Sequence, residues 1–202
     1  MKLLFLLLFF SFFSIAENLR EKLFVDGKIE QCFFTPDDNI TDLLVELIKE
    51  EKSSIKVAMY YLSDHKIINA LIDAKKRNVL VEIIIDNICV TKINMTNLHK
   101  IVSNNIDLGI FNIKATKGPN PIMHNKYFIF DKNIEEKTIF TSGSFNCTYS
   151  AQARNKENLI VTESKHMISK FKKNFAKLKE QVKDLIKKKR YIRWLKKIQS
   201  KI

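Results

Sequence analysis

Apolar residues recur along this chain at two periods, and the alternation between the periods lays out its elements. Leu43, Leu44, Leu47 and Ile48 fall at helical spacing and predict a helix over residues 40–52, led in by the turn Thr35-Pro36-Asp37-Asp38-Asn39. Residues 55–62 read as a strand. Ser63-Asp64 then caps a second helix over residues 67–77, whose apolar face is Ile67, Ala70, Leu71 and Ala74. Residues 79–85 are an apolar run broken only by Glu82 and ending at Asp86, the pattern of a strand covered on both faces. A helix near residues 94–103 and a strand near 107–113 repeat the unit. Strand, helix, strand in succession implies right-handed parallel crossovers, so the expected core is a parallel α/β sheet.

The pattern changes after residue 113. Lys117-Gly118-Pro119-Asn120-Pro121 holds two of the three prolines and marks a loop. It delivers the chain to a strand over residues 125–131, which turns at Lys132-Asn133-Ile134-Glu135-Glu136 and returns over 138–141, a hairpin with a long polar tip. A last strand, residues 158–162, precedes a C-terminal helix. No internal repeat or linker divides the chain, so residues 17–182 are read as one domain.

The ends are different. Lys2 precedes an apolar run over residues 3–13, interrupted only by Ser11, and then Ser14-Ile15-Ala16, so residues 1–16 resemble a secretory signal peptide. Cleavage after Ala16 makes the protein exported, secreted or periplasmic; an uncleaved membrane anchor is the alternative. The formal net charge of +13 sits entirely at the other end: residues 165–202 carry fifteen Lys and Arg against Glu180 and Asp184. Ile168, Phe171, Phe175, Leu178, Val182 and Leu185 form an apolar stripe there, which predicts a helix docked on the domain. Residues 183–202 are too basic for docking alone. With Tyr191 and Trp194 among the lysines, they form an amphipathic tail suited to nucleic acid or an anionic membrane surface. Otherwise the composition, 46% apolar and 28% charged, is that of a globular chain, and excludes wholesale disorder.

The chemistry gathers around His124-Asn125-Lys126, Asp131 and Gly143-Ser144-Phe145-Asn146. A His and a Lys two apart on a strand share a face, so an imidazole and an ammonium converge on one anion while Asn125 points away. A phosphodiester resists attack because negative oxygens surround its phosphorus, and without a metal the site must bring cations and hydrogen-bond donors. Lys126, Ser144 and Asn146 suit that role as phosphate binders. His124 is then the nucleophile, forming a phosphohistidine that water hydrolyses, and Glu157 is the carboxylate best placed to orient it. Cys32, Cys89 and Cys147 lack metal-ligand spacing, and His65, His99 and His166 are scattered, so neither a metal nor another cofactor is expected. Asn39, Asn94 and Asn146 head glycosylation sequons, and a phosphate-binding Asn146 has to stay unmodified.

His124-x-Lys126-x4-Asp131 followed by Gly143-Ser144-x-Asn146 resembles the HKD signature of the phospholipase D superfamily. Ala58-Met59-Tyr60-Tyr61, residues 70–77, Val81-Glu82-Ile83-Ile84-Ile85-Asp86 and Glu157-Asn158 extend the likeness to the small one-motif bacterial members. The resemblance implies an α/β/α sandwich, here with a mostly parallel mixed sheet, and a metal-free phosphohistidine mechanism using His124, Lys126, Ser144, Asn146 and Glu157. Two motifs face each other in such sites. With one motif per chain, the resemblance implies a homodimer with its site at the two-fold axis, His124 of one copy attacking and His124 of the other acting as general acid. Asp131, though part of the motif, is read as a structural residue that closes its strand. Eleven residues, 132–142, separate Asp131 from Gly143, longer than usual in this family.

The expected function is a metal-independent phosphodiesterase. Nucleic acid is the preferred substrate, which makes it an endonuclease; a secreted phospholipase D acting on lipid head groups is the alternative. A non-catalytic binding module for nucleic acid or membrane is the third reading, against which the joint presence of His124, Lys126, Asn146 and Glu157 argues.

Overall fold

The computed structural model describes residues 19–91 and 94–187. The expected signal peptide, residues 1–16, and all of the basic tail beyond residue 187 lie outside the described residues.

Eight strands form one sheet: β1 (Phe24–Val25), β2 (Lys28–Phe34), β3 (Ser54–Met59), β4 (Leu80–Asp86), β5 (Asp107–Phe111), β6 (Lys126–Phe130), β7 (Ile139–Gly143) and β8 (Asn158–Thr162). Their order across the sheet is β1-β2-β8-β7-β6-β3-β4-β5. Helices α1 (Ile40–Glu50), α2 (His65–Lys76), α3 (Met95–Ser103), α4 (Tyr149–Ala153) and α5 (Lys165–Lys187) connect or follow them.

The sandwich is as expected, but the sheet is not mostly parallel. Only β3 with β4 and β4 with β5 run parallel. The five pairings from β1 through β8, β7 and β6 to β3 are antiparallel. Parallel neighbours need a crossover helix, and α2 and α3 supply one each; β6 and β7 are joined by a short connection that can only reverse the chain. Strand-helix-strand periodicity therefore describes three strands, and extending it to the whole sheet overreached. The strand β2 is not marked by hydropathy: Lys-Ile-Glu-Gln-Cys-Phe-Phe puts Gln31 among the inward positions with Ile29 and Phe33, and Cys32 and Phe34 among the exposed ones, and it pairs with β8.

Two apolar layers enclose the sheet. Leu44, Leu47, Ile67, Leu71 and Ile101 from α1, α2 and α3 pack on one face against Val57, Ile83, Phe128 and Phe130. On the other face Ile168, Phe175, Leu178 and Val182 of α5 cover Ala58, Ile84, Tyr127, Ile129 and Phe140. The odd and even residues of β6 thus go to opposite layers, as the period of two requires. The α5 stripe behaves as its spacing predicts. Tyr127 donates from its hydroxyl to Asn174 (2.9 Å), Lys172 reaches Asp131 (2.5 Å) and Lys179 pairs with Glu82 and Asp107. Lys172 and Lys179 are two helical turns apart, so one face of α5 carries both ion pairs. Gly109 lets the helix approach β5, since a Cβ there would lie 2.7 Å from Val182 Cγ2.

The expected polar hairpin tip is instead built into the body. Asn133 is fully buried and Ile134 nearly so. Asn133 Nδ2 donates to the Leu47 carbonyl (2.8 Å) and the Lys132 amide to the buried Glu51 carboxylate (2.9 Å). The added length of this connection therefore caps the end of α1.

Candidate active site

The backbone brings the motif residues to one end of the sheet. β3, β4, β5 and β7 finish there, while β6 and β8 begin there. His124 precedes β6 and Lys126 opens it, with Lys126 paired to Met59 and the Tyr60 amide donating to the Asn125 carbonyl (2.8 Å). Such strand ends carry loops, and loops free of ladder bonds can present side chains to a ligand.

His124 and Lys126 do share a face. Lys126 Nζ lies 3.2 Å from His124 Nδ1 and 3.3 Å from Nε2, and donates to the His124 carbonyl (3.0 Å). The imidazole is exposed, whereas Lys126 is only 7% exposed. Burial pulls the Lys126 ammonium below the ordinary lysine value, and the nearby negative charge of Glu157 opposes the shift. The result is a desolvated cation beside an accessible ring nitrogen.

Ser144, Asn146 and Glu157 arrive from β7 and β8. Ser144 Oγ donates to Glu157 Oε2 (2.5 Å) and accepts from the Asn158 amide (3.0 Å). Asn155 Nδ2 holds the other Glu157 oxygen (2.8 Å). No hydrogen bond joins Glu157 to the His124 ring among the described residues, so the carboxylate faces Ser144, Asn155 and the Lys126 charge. Asn146 Oδ1 is buried without a hydrogen-bond partner, an acceptor that the fold leaves unsatisfied at the site. Gly143 is required by close approach: a Cβ there would lie 2.1 Å from the Asn158 carbonyl oxygen.

Asp131 sits apart. It follows the far end of β6, seven residues from His124, a span on the order of 20 Å for extended chain. Burial alone would raise its pKa; hydrogen bonds from Lys172, Lys56 and Ser54 outweigh this and bring it down to about 2. Asp131 thus joins β6, β3 and α5.

Two residues that motif reading did not single out as site members complete the geometry. The Tyr60 ring lies 4.4 Å from the His124 ring, centroid to centroid, and Lys126 Nζ is 5.1 Å from the Tyr60 centroid. Asp86, 4% exposed at the end of β4, accepts from the Met123 amide (2.7 Å) and the Ile88 amide (2.9 Å). Both lie at C-terminal ends of parallel strands, which is the signal that could have found them.

Among the described residues no group of three or more His, Cys, Asp and Glu is placed to hold a metal ion. All three cysteines are free; Cys32 is exposed, and Cys89 and Cys147 are buried. Burial pushes the Cys89 thiol up to about 12, so it is an inert core side chain. The sequon residue Asn94 is 1% exposed and its Nδ2 donates to the Leu62 and Cys89 carbonyls.

Comparison with known proteins converges on one family. Residues 44–179 match the family model described as cardiolipin synthase, PLD-like domain. The phospholipase D of Rickettsia prowazekii is 33% identical over 165 residues, 82% of this chain and 71% of that protein. The solved structure of the phospholipase D family member Nuc from Salmonella typhimurium superposes with a TM-score of 0.64 at 27% identity, covering 75% of this chain and 94% of Nuc. NucT from Helicobacter pylori gives 0.67 at 25% identity, covering 75% and 96%. A family model that covers most of the chain, a relative 33% identical over 82% of it and the shared fold of Nuc and NucT agree: the chain belongs to the phospholipase D/nuclease (HKD) superfamily, as a small hydrolase of the bacterial type.

Proposed function

We propose that this hydrolase cleaves the phosphodiester of phospholipid head groups, without a metal and through a phosphohistidine on His124. The observation that carries the reading is the exposed His124 ring held 3.2 Å from the buried Lys126 ammonium, a nucleophile beside a fixed cation. An imidazole nitrogen attacks phosphorus and the N–P bond forms as the P–O bond to the leaving alcohol breaks. The leaving oxygen takes its proton from the protonated His124 of a second copy. That histidine, now neutral, accepts a proton from water, whose oxygen attacks phosphorus and releases His124. Lys126 and the Asn146 Nδ2 group donate to the phosphate oxygens, and the Ser144 hydroxyl joins them by turning its proton away from Glu157, which it meets at 2.5 Å without substrate.

Two observations support the lipid substrate and the paired site. The Rickettsia relatives are named phospholipase D, which favours phospholipid over the nucleic acid that the sequence alone preferred. On the α5 side of the sheet Phe34 and Ile160 stay exposed beside the site end, an uncovered face suited to a second copy. Nucleic acid remains the second reading, because the basic residues 165–202 suit any polyanion. Export through residues 1–16, cleaved or kept as an anchor, and membrane contact by residues 183–202 belong to the same proposal.

The test is turnover of phosphatidylcholine vesicles, single-stranded DNA and RNA by the exported protein in EDTA, beside His124→Ala. Release of choline that persists in EDTA and falls about a thousand-fold or more in the variant is the expected result. Loss of activity in EDTA, or full activity of the variant, overturns the mechanism; turnover of nucleic acid alone overturns the substrate.

A further inference from the structure

The approach to His124 has a wall that the chemistry above does not use. A cleft of about 170 Å³ lies beside it, lined by Tyr60 and Asp86 on the inner side and by Ile88, Lys114, Pro121 and Ile122 toward solvent. Tyr60 is the residue whose ring packs on His124, so the cleft and the nucleophile share a side chain. At its mouth Ile122 is 58% exposed and Ile88 45% exposed. Two large aliphatic side chains held in water beside one cleft cost solvation free energy that a partner surface can recover.

The charge around them has one sign. Between residues 112 and 123 the chain carries Lys114 and Lys117, both exposed, and no carboxylate. The one acid in the cleft, Asp86, is buried and occupied by the Met123 and Ile88 amides. That bond also ties the two halves of the rim together, since Ile88 and the 112–123 segment hang from one carboxylate. Ala115 donates to Asn120 Oδ1 (3.1 Å), which closes the segment into a fixed loop, and residues 116–122 are exposed throughout.

We propose that residues 112–123 together with Ile88 form the surface by which this protein seats itself on an anionic lipid bilayer, Ile122 and Ile88 entering the acyl boundary and Lys114 and Lys117 meeting lipid phosphates. The inference rests on the phospholipid reading and deepens it by naming where the membrane lies. Apolar tips flanked by cations match a surface that is apolar inside and anionic outside, whereas a nucleic acid would reward the lysines and leave the isoleucines in water. Bound this way, a head group at the bilayer surface reaches His124 along the Tyr60 wall without the lipid leaving the membrane.

The experiment is co-sedimentation of the full chain with vesicles of phosphatidylcholine containing phosphatidylglycerol, and with pure phosphatidylcholine. The variants are Ile122→Ser alone, Ile88→Ser with Ile122→Ser, Lys114→Gln with Lys117→Gln, and Leu80→Ser, 51% exposed at the opposite end of the sheet, as control. The double isoleucine variant is expected to bind anionic vesicles about tenfold or more weakly, the lysine pair about tenfold more weakly on those vesicles alone, and Leu80→Ser unchanged. KM on vesicles rises by the same factors, while kcat/KM for a soluble chromogenic diester stays within about twofold. Unchanged vesicle binding by Ile122→Ser overturns the surface, as does an equal loss on the soluble diester. A drop in sedimentation coefficient on Ile122→Ser, or an equal loss of binding to single-stranded DNA, overturns it in favour of a copy-to-copy or nucleic-acid contact. Vesicle binding decides the surface even where wild-type phospholipid turnover is nil, so failure of the activity and failure of the docking surface are read separately.

Discussion

The Asp86 carboxylate accepts a 2.7 Å hydrogen bond from the Met123 amide, one residue before His124. Because the same carboxylate holds the Ile88 amide, the end of β4 fixes the loop that presents the candidate nucleophile. Asp86→Ala is expected to lower kcat by about a hundredfold, since misplacing a reacting group by 1 Å costs roughly that much. KM should change little, and Asp86→Asn, which keeps an acceptor, should recover part of the rate. Steady-state kinetics on a soluble diester check this, with circular dichroism to confirm the fold.

Gly143→Ala should disable the site through the backbone. The added Cβ would lie 2.1 Å from the Asn158 carbonyl oxygen and 2.7 Å from its Oδ1, so β7 must part from β8 where Ser144 and Glu157 meet. A stability loss of about 1–3 kcal/mol in urea titration and a fall in kcat larger than that of Ser144→Ala are expected.

Asp131 should matter for stability and its pH dependence. Its folded-state pKa of about 2 lies below the ordinary 3.8. A depressed carboxylate stabilises the fold fully above pH 4 and loses that contribution as the pH falls toward 2. The contribution is about 2 kcal/mol, so Asp131→Asn should lower stability at pH 7 by that order and flatten the acid limb of the denaturation curve. Its kcat on a soluble diester should stay close to that of the wild type, in contrast to Lys126→Ala.

Phe175→Ala tests the docking of α5. Phe175 is 2% exposed against the sheet, and truncation of such a side chain costs about 3–5 kcal/mol. The thermal midpoint should fall accordingly. Lys173→Ala, on the solvated side of the same helix, should leave it nearly unchanged.

The sequence by itself determined the local elements and the main chemical members of the site. Helical and strand periods placed α1, α2, α3, α5 and the strands β3 to β8 to within a few residues, because side-chain period reports which face of a segment meets the core. The two-residue spacing of His124 and Lys126 determined their shared face for the same reason. The direction of the sheet was decided only by tertiary structure: an apolar run buried on both faces reads alike whether its neighbour is parallel or antiparallel, and the placement of β6 between β3 and β7 is a pairing between distant segments. β2 is not legible because polar Gln31 takes an inward position and apolar Phe34 an exposed one, which breaks the hydropathy alternation that its burial follows. Tyr60 and Asp86 became site residues only in the folded chain. Asp86 and Met123 are 37 positions apart, and no pattern along a chain encodes a hydrogen bond between a carboxylate and an amide that meet where two strands end.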